Sequence, residues 1–391
     1  LKLKLAAGGQ AGSQPIVCSC APCNRNISKA VALQLLLLVL LASPMTSAED
    51  GCISLEEAVT GKDGACVMVQ GTCVAASVAR ELMVCQQALP PVIDHEHQSS
   101  FAQEEEEAEN PRTKFGKQLL AEAIGTGMIV LFGCGSVCSS LSTAYQGIWQ
   151  VAIVWGFGVS LAIYSTANIS GAHLNPAVTL AFQLIRKGDM TPKKSFAYVL
   201  AQFLGAMLGG LINLAVYSNT IEAFERTNGI VRGEPKSVMS ALAFGEYFPN
   251  PGLTAPWGNG PYVQDDVTIG KALFVEAWGT FILAFVIFGL TNSRNDVLGR
   301  TARPGVPFMI GATVAVNLAL YAPITQAGWN PARDFGPRVI ACAAGWGKVA
   351  IPGPQNGFWV YIVGPCLGAP LGAALADFGL WGAWRRPRSK N

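Results

Sequence analysis

The sequence predicts an all-α membrane protein in which six transmembrane helices and two re-entrant half-helices form an inverted repeat. Three observations support this prediction: a series of long apolar stretches, two motifs that recur at nearly the same spacing, and a low content of charge. Of the 391 residues, 51% are hydrophobic and 13% are charged, whereas soluble domains carry about 25% charged residues. The composition therefore argues against a water-soluble enzyme. The net charge of +2 gives no basic surface of the kind that nucleic acid requires.

Residues 1–112 differ from the rest of the chain, and we treat them as a separate N-terminal extension. An apolar run at 31–48 follows Lys29 and ends in small residues, as in a secretory signal peptide. Because the sequence begins with Leu1, a fragment or a misplaced gene start is the alternative, and the extension is expected to be disordered or a gene-model artefact. It holds most of the 11 cysteines, and the four that follow the apolar run could form two disulfides. An acidic run at 104–109 predicts a solvated tail.

Residues 113–384 contain six apolar stretches of about 20 residues, the length that a helix needs to cross the hydrocarbon core of a bilayer. A backbone in lipid must satisfy its own hydrogen bonds, so each stretch is predicted to be a transmembrane helix. Two repeats of three spans, at about 117–217 and 269–380, flank a loop at 218–268. The predicted spans are 118–140, 148–169, 194–217, 269–291, 304–323 and 356–380.

Basic residues predict the orientation, because Lys and Arg gather in cytoplasmic segments. They precede the first span, separate the second from the third and the fourth from the fifth, and form a basic tail at 385–391. The loop at 218–268 holds more acidic than basic residues, so it is expected to be external. Both termini are therefore expected in the cytoplasm, which conflicts with a cleaved signal peptide. The membrane is expected to be the plasma membrane.

Two motifs recur along the chain at nearly one spacing. Glu122 and Glu276 are each followed by a Gly-Thr pair and lie 154 positions apart, and the Asn-Pro-Ala sequences that begin at Asn175 and Asn330 lie 155 positions apart. Because each repeat contains three spans, an odd number, the second copy enters the membrane from the opposite side. This is the inverted repeat of a transporter or channel, with its site near the midplane.

Each Asn-Pro-Ala sequence is predicted to begin a half-helix, because Asn is a preferred N-cap and Pro a preferred first helical residue. The half-helices would cover 176–185 and 331–344, about half of the bilayer each. Their N-termini would meet at the centre, where the positive ends of the two helix dipoles repel cations and protons. The Asn side chains could then donate hydrogen bonds to a passing hydroxyl or water oxygen. The motif residues are Asn175, Pro176, Ala177, Asn330, Pro331 and Ala332.

At these residues the sequence resembles the aquaporin superfamily, and in particular its glycerol-conducting branch, the aquaglyceroporins. The similarity covers about residues 114–384 and is strongest in the strings ISGAHLNPAV and NPARDFGPR. Asp334 and Arg338 in the second string are markers of the glycerol-conducting branch. The resemblance implies a homotetramer with one pore per chain, through which glycerol, water and other small neutral solutes diffuse passively. It implies no chemical reaction, no cofactor and no metal.

The resemblance also places the family's narrowest point, the selectivity filter, on four residues of this chain. By their spacing from the two motifs these are Trp155, Leu318, Ala327 and Arg333. Trp155 would offer an apolar wall to a carbon backbone, and Arg333 would donate hydrogen bonds to hydroxyl groups from a guanidinium that keeps its charge. Leu318 and Ala327 depart from the family pattern, in which glycine and an aromatic residue are more usual. The ranking of water, glycerol, urea and peroxide therefore stays open.

Three further residues have candidate roles inside the membrane. Glu122 and Glu276 would be costly in apolar spans unless they were paired internally, so each is expected to accept hydrogen bonds from a re-entrant loop and support its half-helix. The alternative is a proton relay, which would make the protein a proton-coupled carrier. His173 is either a gate or a structural loop residue. A third possibility is a non-conducting structural membrane protein whose N-terminal extension is the working part.

Overall fold

The computed structural model describes residues 110–144, 147–188, 190–256, 258–263, 265–295 and 303–382, and the backbone of three short strands that precede them. The chain divides into two units, Leu1–Glu104 and Glu105–Asn391, which we describe separately. The signal-like run, the acidic run and the basic tail predicted above lie outside the described residues, and so do the side chains of the cysteines in the predicted disulfides.

The first unit contains a small three-stranded sheet. Strand β2 (Cys66–Val69) pairs in parallel with β1 (Cys52–Ile53) and antiparallel with β3 (Thr72–Ala75). The sequence did not predict these strands. The all-α prediction concerns the second unit, where it is confirmed.

Within its described residues, the second unit has six helices that are long and apolar enough to cross a membrane. Two shorter helices of 10 and 11 residues begin at the two Asn-Pro-Ala motifs. At about 1.5 Å per residue, these two reach half-way across a hydrocarbon core of about 30 Å. In chain order the helices are α1 (Pro111–Ser140), α2 (Ile148–Ser170), the half-helix α3 (Pro176–Ile185), α4 (Pro192–Asn228), α5 (Ile269–Leu290), α6 (Val306–Thr325), the half-helix α7 (Pro331–Ala341) and α8 (Val360–Ala374), the central part of the last span, Pro354–Leu380.

Three ends of spans or half-helices differ from the predicted bounds by more than two residues. Helix α1 begins at Pro111 rather than 118, because the Asn110 side chain caps it by accepting from the Arg112 amide at 2.9 Å. Helix α4 continues past 217 to Asn228 and ends at Gly229, whose φ of +59° suits glycine. The loop that connects the two repeats is therefore 229–268. The second half-helix ends at Ala341 rather than 344 and continues into a wider helical turn.

The two repeats pack in the same way. In the first, Gly205 of α4 leaves room for the Ala123 carbonyl of α1, which a side chain at this position would overlap. In the second, Gly368 of α8 does the same for the Ala277 carbonyl of α5. Small residues of this kind let two helix backbones approach closely, which is a main source of helix association in lipid. The matching contacts preserve the inverted repeat in three dimensions.

The outward faces of the spanning helices are apolar. On α4 the exposed side chains recur at helical spacing, and each is at least half exposed: Leu200, Leu204, Leu208 and Leu211. A soluble protein would not leave such a stripe in water. It is the expected surface of a helix that faces lipid or another membrane subunit.

Candidate functional site

The two Asn-Pro-Ala motifs lie against each other. Asn175 caps α3 by accepting from the Ala177 amide at 2.8 Å, and its Nδ2 donates to the Trp329 carbonyl at 2.9 Å. Asn330 caps α7 by accepting from the Ala332 amide at 3.1 Å. The N-termini of the half-helices therefore meet, as the repeat predicts.

The contacts of Asn330 mirror those of Asn175. Asn330 Nδ2 donates to the Leu174 carbonyl at 2.8 Å, just before the other motif. An amide nitrogen carries two hydrogens, so one on each asparagine remains for a solute. Both asparagines line the same cavity.

Glu122 of α1 lies beside the loop that leads into α3. Its fully buried carboxylate accepts from the His173 and Leu174 amides at 3.0 and 2.7 Å, and from the Ser170 hydroxyl at 2.6 Å. Gln202 of α4 donates to it at 2.8 Å. These are the bonds that a supporting role for the half-helix requires.

Glu276 of α5 repeats this arrangement in the second half. Its carboxylate, 0% exposed, accepts from the Thr325 hydroxyl at 2.6 Å and from the Gly328 and Trp329 amides at 3.1 and 2.9 Å. These donors lie in the segment that leads into α7. An unpaired acid in an apolar span would be costly, and the three donors explain how this one is tolerated.

The four predicted filter residues come together on the side of the asparagine pair that faces the loop at 229–268. Trp155, Leu318, Ala327 and Arg333 are between 2 and 4% exposed, and all four line the cavity. The Arg333 guanidinium lies over the Trp155 ring, 3.9 Å from its centroid. An apolar ring and a cation therefore lie in contact at the predicted filter.

Glu246 is a buried partner of the predicted filter residue Arg333 that the sequence analysis missed. Its carboxylate forms an ion pair with Arg333 Nη1, and the side chain is almost fully buried. A charged residue in a long loop usually faces water, so its position in the loop gave no reason to expect that Glu246 is buried. The available signal was its setting, because residues 243–249 around it are small or aromatic apart from Glu246, and all of them are buried.

Asp334 and Arg338 hold the loop that carries Glu246. Arg338 makes two hydrogen bonds to the Asp334 carboxylate, at 2.8 and 3.1 Å, and donates to the carbonyls of Ala350 and Glu246. Asp334 in turn accepts from the Glu246 amide at 2.7 Å. Neither side chain lines the cavity. The pair therefore contacts the filter through Glu246 rather than directly.

The cavity has a volume of about 820 Å³ and extends from the filter past the asparagine pair. Most of its wall is apolar, and its far end is lined by polar residues that include Tyr164 and Asn292. His173 also lines it, with its ring stacked on Phe182 at 4.4 Å and its Nδ1 3.3 Å from the Thr179 hydroxyl. The gating role of His173 stays a prediction.

Comparison with known proteins agrees with this geometry. The model of the major intrinsic protein family matches residues 109–376. The glycerol uptake facilitator protein of Escherichia coli K12 is 40% identical over 259 residues, which cover 66% of this chain and 85% of the relative. The propanediol uptake facilitator PduF of Salmonella typhimurium is 39% identical over 258 residues, covering 65% of this chain and 90% of the relative. The X-ray structure of the aquaglyceroporin from Plasmodium falciparum matches the fold with a TM-score of 0.56 at 24% identity, over 67% of this chain and 96% of that one.

Proposed function

Because the chain belongs to the major intrinsic protein family, we propose that it is a transmembrane channel through which glycerol, water and other small uncharged solutes diffuse passively. The observation that carries this proposal is the pair of opposed half-helix N-termini at one cavity, with the filter residues beside them. The glycerol uptake facilitator, at 40% identity, supports glycerol as the first solute. Nothing is chemically transformed in this process.

The geometry suggests how a polyol is recognised. Its hydroxyl oxygens accept hydrogen bonds from Arg333 and from the free amide hydrogens of Asn175 and Asn330. Its carbon backbone contacts Trp155 and the other apolar side chains that line the cavity. An ion would lose its hydration and meet two positive helix ends, each equivalent to about half an elementary charge. Neutral polar solutes therefore pass more easily than ions.

The proton-coupled alternative is less well supported. Glu122 and Glu276 accept backbone and side-chain hydrogen bonds from the segments that lead into the two half-helices, and neither lines the cavity. A proton relay needs its carboxylate on the solute path. The cavity itself argues against a non-conducting structural protein.

The solute range depends on Leu318 and Ala327. Leucine narrows one side of the filter with apolar surface, and alanine leaves space on another, relative to the glycine and aromatic residue of the family pattern. The propanediol facilitator among the relatives makes small diols a second solute class to test, and water is expected to pass because it is smaller.

Vesicles that contain the purified protein test the function directly. Light scattering after mixing with an inward glycerol gradient should show swelling at least about tenfold faster than in empty vesicles, since a channel removes the barrier of the apolar core. Sorbitol, which is longer and bulkier, serves as the impermeant control. Swelling at the rate of empty vesicles would contradict the proposal, and a rate that follows an imposed pH gradient would favour the carrier.

In the same proposal the chain is a homotetramer with one pore per subunit. Support comes from α5, where four aromatic rings form a nearly parallel ladder with centroids 5.3–6.5 Å apart: Phe274, Trp278, Phe281 and Phe285. Phe274 and Trp278 are 60 and 42% exposed. Such a rigid aromatic surface suits contact with a neighbouring subunit, where aromatic residues often contribute most of the binding energy.

The tetramer can be tested by native mass spectrometry in a mild detergent. Trp278→Ala is expected to shift protein from tetramer to smaller species, because aromatic anchors at interfaces contribute about 2 kcal/mol or more. Phe196→Ala, which removes an exposed aromatic ring from α4, is the matched control. Equal tetramer fractions in both variants would exclude the ladder as the interface, and a monomeric wild type would exclude the tetramer.

The protein is proposed to lie in the plasma membrane with both termini in the cytoplasm. The support is the distribution of basic residues, which gather where α3 ends at Arg186 and beyond α5 at Arg294. The positive-inside rule places such segments in the cytoplasm.

A further inference from the structure

We infer that Gly133 of α1 is a positioning residue for the filter: because it has no side chain, the Trp155 indole can lie flat against α1 and leave the route past Arg333 open to a polyol. This inference rests on the proposed channel function. Gly133 belongs to neither motif and to none of the predicted filter positions.

The contact between Gly133 and Trp155 is the first observation. A Cβ atom at Gly133 would overlap the indole atoms Cε3, Cζ3 and Cη2. The six-membered ring of Trp155 therefore occupies the space that a side chain at 133 would fill. On its other side the ring meets the Arg333 guanidinium at 3.9 Å. The indole is held between a glycine backbone and the filter cation.

The helix that carries Trp155 has little room to move away. A Cβ at Gly156 would lie 2.7 Å from the Gly311 carbonyl of α6, and one at Gly158 would lie 2.9 Å from the Phe132 side chain of α1. Both distances are well inside van der Waals contact, so α2 is already tightly packed against helices on both of these sides. Packed interiors of this kind absorb an added methyl group poorly. A methyl group at 133 must therefore displace the indole rather than the α2 backbone.

The displaced indole presses against the Arg333 guanidinium, which already lies 3.9 Å from the ring centroid. The indole or the guanidinium then shifts into the cavity that both line, and this shift affects solutes according to their size. Glycerol needs the full width of the cavity beside the stacked indole and guanidinium, whereas a water molecule needs less. Gly133 therefore acts on selectivity through Trp155, without touching the solute itself.

The test compares glycerol and water permeability in vesicles for four proteins. Gly133→Ala is expected to lower glycerol permeability about tenfold, since overpacking of this size costs enough to account for such a factor, and to lower water permeability much less. Gly133→Ala combined with Trp155→Phe should recover glycerol permeability, because the smaller ring vacates the space of the new methyl group. Gly116→Ala is the control on the same helix, since Gly116 is exposed and nothing lies within 4 Å of its added Cβ.

The outcomes separate this inference from the function on which it rests. Wild-type glycerol flux tests the channel, and the ratio of glycerol to water permeability in Gly133→Ala tests the positioning role. A ratio equal to that of wild type would overturn the inference. An equal loss of both permeabilities that Trp155→Phe does not relieve would also overturn it, because it would indicate a general packing defect. Selective loss of glycerol flux with recovery in the double variant supports it.

Discussion

Replacement of Arg333 by valine is expected to make the pore leak protons or monovalent cations. The substitution removes the filter cation and leaves Glu246, its ion-pair partner, buried and unpaired next to the space that the guanidinium vacates. The local charge falls from about neutral to about −1. A cation about 4 Å from such a carboxylate gains about 4 kcal/mol at an effective dielectric constant of 20, which corresponds to about a thousandfold in occupancy. The positive half-helix ends oppose this gain only in part.

The leak can be measured with a pH-sensitive dye trapped in vesicles under a potassium diffusion potential. Arg333→Lys keeps the charge and should keep protons out. Arg333→Val combined with Glu246→Gln removes both charges and should leak less than Arg333→Val alone, which separates the effect of the unpaired acid from that of the wider filter. If Arg333→Val vesicles hold a pH gradient as long as wild-type vesicles do, the ion barrier lies at the half-helices alone.

The four filter positions were predicted from the family resemblance by their spacing from the two motifs, and three of them lie on regular helices. The rise and twist of a helix fix the position of Trp155 relative to the motif at Asn175, and the short segment before Asn330 leaves Ala327 few places to lie. The spacing along the sequence therefore identified four side chains that are far apart in the chain and line one cavity in the structure. What the spacing did not give is the orientation of the indole, which depends on Gly133 of another helix.

Glu246 was not predictable on the same grounds. It lies in a loop without a repeating pattern, and its place depends on contacts far away in the sequence, such as the bond from its amide to Asp334, 88 positions further on. Asp334 and Arg338 were noted only through the family resemblance. Their hydrogen bonds now explain why both are buried, since they fix the backbone that presents the Glu246 carboxylate to Arg333.

The length of α4 shows a second limit of the sequence analysis. Hydropathy detects where a helix leaves lipid, near residue 217, but not where it stops. Residues beyond the helix stabilise its polar extension to Asn228. Arg232 makes two hydrogen bonds to the Glu225 carboxylate, at 2.9 and 3.0 Å, and its guanidinium carbon lies 4.1 Å from the centroid of the Trp346 ring. These contacts join the C-terminal end of α4 to the chain that follows α7. Gly229, with its positive φ, was the local signal for the true end.

Glu276→Ala is expected to destabilise the second half of the protein severely. The substitution leaves the Thr325 hydroxyl and the Gly328 and Trp329 amides buried without their acceptor. Each unsatisfied buried donor costs about 1–3 kcal/mol, so the total is about 3 kcal/mol or more, a large part of the 5–15 kcal/mol typical of folded proteins. The yield of folded protein and the melting temperature in detergent should fall sharply. Glu222→Ala, which removes an exposed acid from α4, should leave both near the wild-type values.

Glu276→Gln distinguishes this supporting role from proton transport. Glutamine keeps one oxygen that can accept from the loop, so part of the protein should fold, and the protein that does fold should conduct glycerol at the wild-type rate per molecule. A proton-coupled carrier would lose its flux in the same variant, because an amide cannot carry the proton. The deciding measurement is therefore glycerol flux per folded protein, with and without a pH gradient. Loss of flux in well-folded Glu276→Gln protein would show that the carboxylate does more than hold α7 in place.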